Sequence, residues 1–93
     1  MSLERYIVAQ TECEKIFREK NAAYGNSAFE PFEFHDTQYW MRLSDVFRKT
    51  ARLESLTIAA VQGNREAREK LIDDYKDLAN YAIIAVAVLE GLE

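Results

Sequence analysis

Residues 65–89 read REAREKLIDDYKDLANYAIIAVAVL, and this stretch decides the fold class. Leu71, Tyr75, Leu78, Ala82, Ala85 and Leu89 recur at three- and four-residue spacing, the period of one face of a helix. Gly63-Asn64 stands just before it: glycine takes left-handed dihedrals at little cost and closes one helix, and asparagine caps the next. The spacing predicts a helix over 65–89. From Tyr81 to Leu89 every position is apolar, and a helix apolar all round is buried on all sides. A chain of 93 residues has too few helices to surround it, so completion by a homo-oligomer, a dimer or tetramer, is expected.

Working outward, Leu43, Val46, Phe47, Thr50, Leu53, Thr57 and Val61 recur at helical spacing, which predicts a helix over 38–61 with Asp36 or Thr37 as its cap. Ser2 is a suitable cap for a first helix over 3–20, with Glu4 in its first turn. Gly25, Asn26, Ser27 and Pro31 break the pattern between Asn21 and Asp36. Tyr24, Phe29, Phe32 and Phe34 make that long connection aromatic, and long connections often carry function. The expectation is an all-α fold: a small bundle of three main helices with a long aromatic loop, forming one domain over 1–93 and completed by oligomerisation.

The chain carries a net charge of −4 and 30% charged residues. That balance argues against direct nucleic-acid binding, which calls for a basic surface. The longest apolar run, residues 81–89, is far short of the roughly 20 residues a membrane span needs. No charged leader followed by an apolar run opens the chain, so no signal peptide is expected. The single cysteine, Cys13, has no intramolecular partner and reads as a surface or boundary residue; a reducing, cytoplasmic setting fits.

Two polar stripes carry candidate chemistry. On the last helix, Asp73, Asp74 and Asp77 crowd together, and positions 74, 77 and 81 share a face. Asp74 and Asp77 are candidate ligands for magnesium, a hard cation that binds through few carboxylates plus water and substrate phosphate. Asn80, near the same face, is a candidate contact for a base or sugar. On the middle helix, Gln38, Arg42, Asp45, Lys49 and Arg52 form one stripe. Lys49 and Arg52 are candidate phosphate cations, lysine as a point charge and arginine as a fixed fork. Asp45 is a supporting residue, either pairing Lys49 at i,i+4 or adding to the metal site. Glu54 lies off this stripe. Tyr24 is placed to stack on a base and Gly25 to turn backbone N–H groups towards an anion. Each stripe also suits a plain solvated helix face. His35, alone and without motif partners, reads as a structural or exposed loop residue, and no serine triad, P-loop or zinc motif is present.

Three pieces in order, KNAAYGNS (20–27), DVFRKTARL (45–53) and DDYKDLANY (73–81), together resemble the first type of nucleotide modification associated domain. This is a small helical family of phages and bacteria linked to nucleotide or base modification, and the resemblance spans roughly residues 12–88. It implies that Lys49 and Arg52 meet phosphate and that Tyr24 and Gly25 belong to a loop motif. The last piece is also similar to the acidic helix of MazG-like all-α nucleotide pyrophosphohydrolases, oligomeric enzymes that cleave nucleoside triphosphates to monophosphate and pyrophosphate with magnesium. Asp74 and Asp77 match the Glu-x-x-Asp half of that metal motif. The Glu-x-x-Glu half has no counterpart here: the middle helix has Asp45, Lys49 and Glu54, and Glu12 and Glu14 on the first are not at that spacing. A nucleotide-binding domain, either a magnesium-dependent pyrophosphohydrolase or an accessory in nucleotide modification, is the leading expectation. A non-catalytic helical oligomeric interaction module, such as a phage regulator, is the rival.

Overall fold

The computed structural model describes residues 2–23 and 35–92, and these are helical almost throughout. Four helices follow in order: α1 (Leu3–Ala23), α2 (His35–Thr50), α3 (Leu53–Val61) and α4 (Arg65–Glu90). The chain divides into two compact units, Met1–Pro31 and Phe32–Glu93. The expected all-α class holds. Tyr24 and Gly25, with the aromatics Phe29, Phe32 and Phe34, lie outside the described residues.

The first unit contains α1, which runs three residues beyond the expected end. Its start is capped as anticipated: the Ser2 hydroxyl accepts from the Arg5 N–H at 3.2 Å, and Glu4 sits in the first turn. Arg18 donates to Glu14 one turn earlier at 2.8 and 3.0 Å. Cys13, expected at the surface or boundary, is the one residue of α1 that is buried.

The second unit packs α2 and α3 against α4. The expected helix over 38–61 is interrupted. It begins earlier, at His35, so Asp36 and Thr37 lie inside its first turn rather than capping it, and it breaks at residues 51–52. Two local features accompany the break. The Thr50 hydroxyl donates back to the Phe47 carbonyl at 2.9 Å, which competes with the helix ladder. Arg52 adopts φ −112°, ψ 4°, off the helical region, and becomes the N-cap of α3. The turn into α4 follows expectation. Gly63 has φ 95°, a conformation that favours glycine, and the Asn64 side chain accepts from the Ala67 N–H at 3.0 Å.

Burial differs most from the sequence reading. The buried apolar residues among those described are Cys13, Ala67 and Ile84. Leu43, Phe47 and Val61, whose helical spacing marked the middle helix, are exposed, as are Tyr75, Ile83 and Val86 of α4. The apolar run over 81–89 is therefore not enclosed on all sides by the described residues. The other buried residues among those described are polar: Gln38 is 3% exposed, Arg42 9% and Asp74 2%.

Candidate functional site

The polar stripes of α2 and α4 meet. Asp74 and Asp77, three apart on α4, share a face, and each receives a cation from the facing segment. Arg52 grips Asp74 with both prongs of its fork, Nε to Oδ2 at 2.6 Å and Nη2 to Oδ1 at 2.7 Å. Lys49 Nζ lies 3.1 Å from Asp77 Oδ2. The four sequence candidates thus form two ion pairs along one seam, with Asp74 buried, Lys49 and Asp77 half-buried and Arg52 exposed.

Arg52 holds a position that local preference would not give to arginine. N-caps favour Ser, Thr, Asp or Asn, and a cation at a helix N-terminus opposes the helix dipole. Its side chain makes no capping bond; Glu54 in the first turn of α3 offsets part of the charge conflict. The bidentate long-range contact with Asp74 outweighs the local preference at this position. The pairing also sets the charge states. The hydrogen bond from Arg52 holds the Asp74 carboxyl below its usual range, with burial opposing and the charges of Arg52 and Lys49 assisting. The same bond raises the Arg52 guanidinium above its ordinary value.

Asp45 does not take Lys49 as its i,i+4 partner. It lies 3.4 Å from Arg48 and 3.8 Å from Arg42, while Lys49 points across to Asp77. Burial does not decide between the two carboxylates, since the Asp45 and Asp77 side chains are each 22% exposed; Asp45 is instead flanked by Arg42 and Arg48. Asp73 is exposed and Asn80 is half-buried on α4. Two residues that the sequence reading did not assign, Arg48 and Tyr81, join the seam. Tyr81 accepts a hydrogen bond from Arg48 Nη2 at 3.2 Å, and its ring lies 5.8 Å from the Arg48 guanidinium and 5.9 Å from Lys49 Nζ. Both distances are in the cation–π range. The signal for Tyr81 was present: it stands four residues after Asp77 on the same face.

The donor set bears on the metal expectation. Both Asp74 oxygens are engaged by Arg52 and Asp77 contacts Lys49. Among the described residues, no group of three or more His, Cys, Asp or Glu is gathered that could hold a metal. These residues do not fit a resident metal centre.

No described helix is long and apolar enough to cross a membrane. No curated protein and no solved structure matches the chain significantly. The sequence pattern of nucleotide modification associated domain 1 matches residues 20–89, which takes in all of α2, α3 and the paired residues Lys49, Arg52, Asp74 and Asp77. The chain belongs to the nucleotide modification associated domain 1 family.

Proposed function

We propose that the seam between α2–α3 and α4 binds a nucleotide through its phosphates. The observation that carries this reading is the double pairing of Lys49 with Asp77 and Arg52 with Asp74. Cations suited to phosphate and carboxylates suited to magnesium stand within one salt-bridge length of each other. A magnesium-bound polyphosphate is chemically matched to that arrangement: its oxygens replace the carboxylates on Lys49 and Arg52, and the carboxylates turn to the cation. Magnesium supplies Lewis-acid polarisation of a phosphoryl oxygen when bound. Tyr24, Gly25 and Asn80 remain proposed substrate contacts, and Asp45 a supporting residue that fixes Arg42 and Arg48.

Within this reading, the chain is either a nucleoside triphosphate pyrophosphohydrolase or a binding accessory to nucleotide modification. We further propose a cytoplasmic homo-oligomer, on the strength of the exposed Trp40, Leu43, Phe47, Ile83 and Val86. The test is calorimetry with each nucleoside triphosphate and magnesium. Asp77→Ala is expected to abolish magnesium-dependent binding; unchanged binding in that variant sinks the role given to the pair.

One observation favours a second reading, a non-catalytic interaction module. Each seam cation already has a carboxylate partner, so the pairs can act simply as a clasp between helices. A nucleotide held at a hundredfold excess over its dissociation constant stabilises a fold by about 2.7 kcal/mol. Absence of any thermal shift with every nucleotide, and no pyrophosphate release, selects the module.

A further inference from the structure

We infer that Gln38 and Arg42 form the base-reading end of the proposed nucleotide site. Both belong to α2, one helical turn apart on the stripe that continues through Asp45 to Lys49. Both are shielded from water, at 3% and 9% exposure. Yet Gln38 Oε1 and Arg42 Nε make no hydrogen bond among the described residues. Nor is Arg42 well neutralised there: its carboxylate contact is Asp45 at 3.8 Å, long beside the 2.6 and 3.1 Å pairs of Arg52 and Lys49.

Buried polar atoms are almost always bonded, because a group withdrawn from water without a partner costs free energy. Here one orphan is an acceptor and the other a donor. Their complement is a planar group that presents a donor and an acceptor side by side. A nucleobase edge has that character: a ring or exocyclic N–H meets the Gln38 oxygen, and the adjacent carbonyl or ring nitrogen meets the Arg42 N–H. Arginine has no acceptor to offer, so the ligand must supply one at that point. An inorganic anion would satisfy Arg42 and be repelled by the Gln38 oxygen. The spacing agrees. From Arg42 to Lys49 is seven residues, about 10 Å along the helix axis, which leaves a sugar between base and phosphates.

This rests on the nucleotide reading above, and the experiment separates the two. Binding of magnesium nucleoside triphosphates and of magnesium tripolyphosphate is measured for the whole chain and for Gln38→Met, which keeps the side-chain volume and removes the polar atoms. The expected result is that Gln38→Met weakens the preferred nucleotide about tenfold, the worth of one buried hydrogen bond, and leaves tripolyphosphate unchanged. Its thermal midpoint should hold or rise, because the replaced atom has no partner. Arg42→Lys, which keeps the charge without the Nε–H, should show the same split. Equal binding of tripolyphosphate and nucleotide by the unaltered chain, or unchanged nucleotide binding in Gln38→Met, overturns base reading while the phosphate site stands. Equal weakening of both ligands assigns the pair to phosphate and likewise overturns it. Binding of neither ligand by the unaltered chain removes the nucleotide reading and this inference with it.

Discussion

On one side of α2, Gln38 and Arg42 are almost wholly shielded, while on the other Trp40 is 71% exposed and Phe47 65%. The first side runs into ion pairs with α4; the second faces outward with aromatic rings. A small domain built for stability alone would do the reverse, since burying an aromatic or aliphatic side chain contributes roughly 1.5–3 kcal/mol and burying an ion pair often contributes nothing. The seam thus places charges between the helices, while the aromatic side of α2 stays exposed. Polar groups retained inside at the expense of apolar ones are a pattern that functional sites share.

The contrast between the two sides is most open to challenge at Arg52. Arg52→Ala leaves the Asp74 carboxylate buried with its bidentate partner gone, and an unpaired buried charge is among the most destabilising changes a fold can suffer. It should lower the urea midpoint more than any other single substitution in the seam, and Arg52→Ala with Asp74→Leu should recover part of that loss. If Arg52→Ala unfolds like the unaltered chain, the seam does not hold the helices. Acid probes the same pair more gently. The folded Asp74 pKa is depressed, so its stabilisation is complete above the ordinary value near 3.8 and disappears as pH falls from there through the lower folded value. A melting-temperature titration should steepen in that window, and Asp74→Asn should flatten it.

Asn64→Ala removes the cap on α4 without touching either side of α2, at a cost of about 1 kcal/mol. Scanning calorimetry should register it as roughly 4–8 °C. The outer side should respond least. Trp40→Ser and Phe47→Ser in dilute protein should change stability by no more than about 0.5 kcal/mol, as exposed substitutions do. Sedimentation at rising concentration adds a second readout. If a second copy covers this side, these variants stay smaller than the unaltered chain; if all sediment alike, it has no such partner.

Much of the fold was legible. Ser2, Gly63 and Asn64 marked boundaries that the structure reproduces, because capping and left-handed dihedrals are local physics carried by single residue types. The break at residues 51–52 was not legible: no glycine or proline marks it, and Arg52 there makes a contact 22 residues away. Spacing showed that α2 has a polar and an apolar face, but spacing alone does not say which one turns inward. Hydrophobicity favours the apolar face, yet here Gln38 and Arg42 of the polar face are buried and Lys49 pairs with Asp77 of α4. For the site, Lys49, Arg52, Asp74 and Asp77 were legible as stripes, whereas their cross-pairing was not, since nothing local distinguishes Asp45 from Asp77 as the partner of Lys49. Gln38 and Arg42 were on the stripe, but only the buried atoms that make no hydrogen bond, Gln38 Oε1 and Arg42 Nε, set them apart.

The short link between α3 and α4 has a kinetic corollary. Only Gln62, Gly63 and Asn64 separate the two helices, so their docking closes a very small loop, and small loops close with little entropy loss. We expect this hairpin to nucleate folding, with α2 joining afterwards. In stopped-flow experiments Asn64→Ala should then slow refolding, whereas Lys49→Ala, which removes a contact between α2 and α4, should act mainly by hastening unfolding.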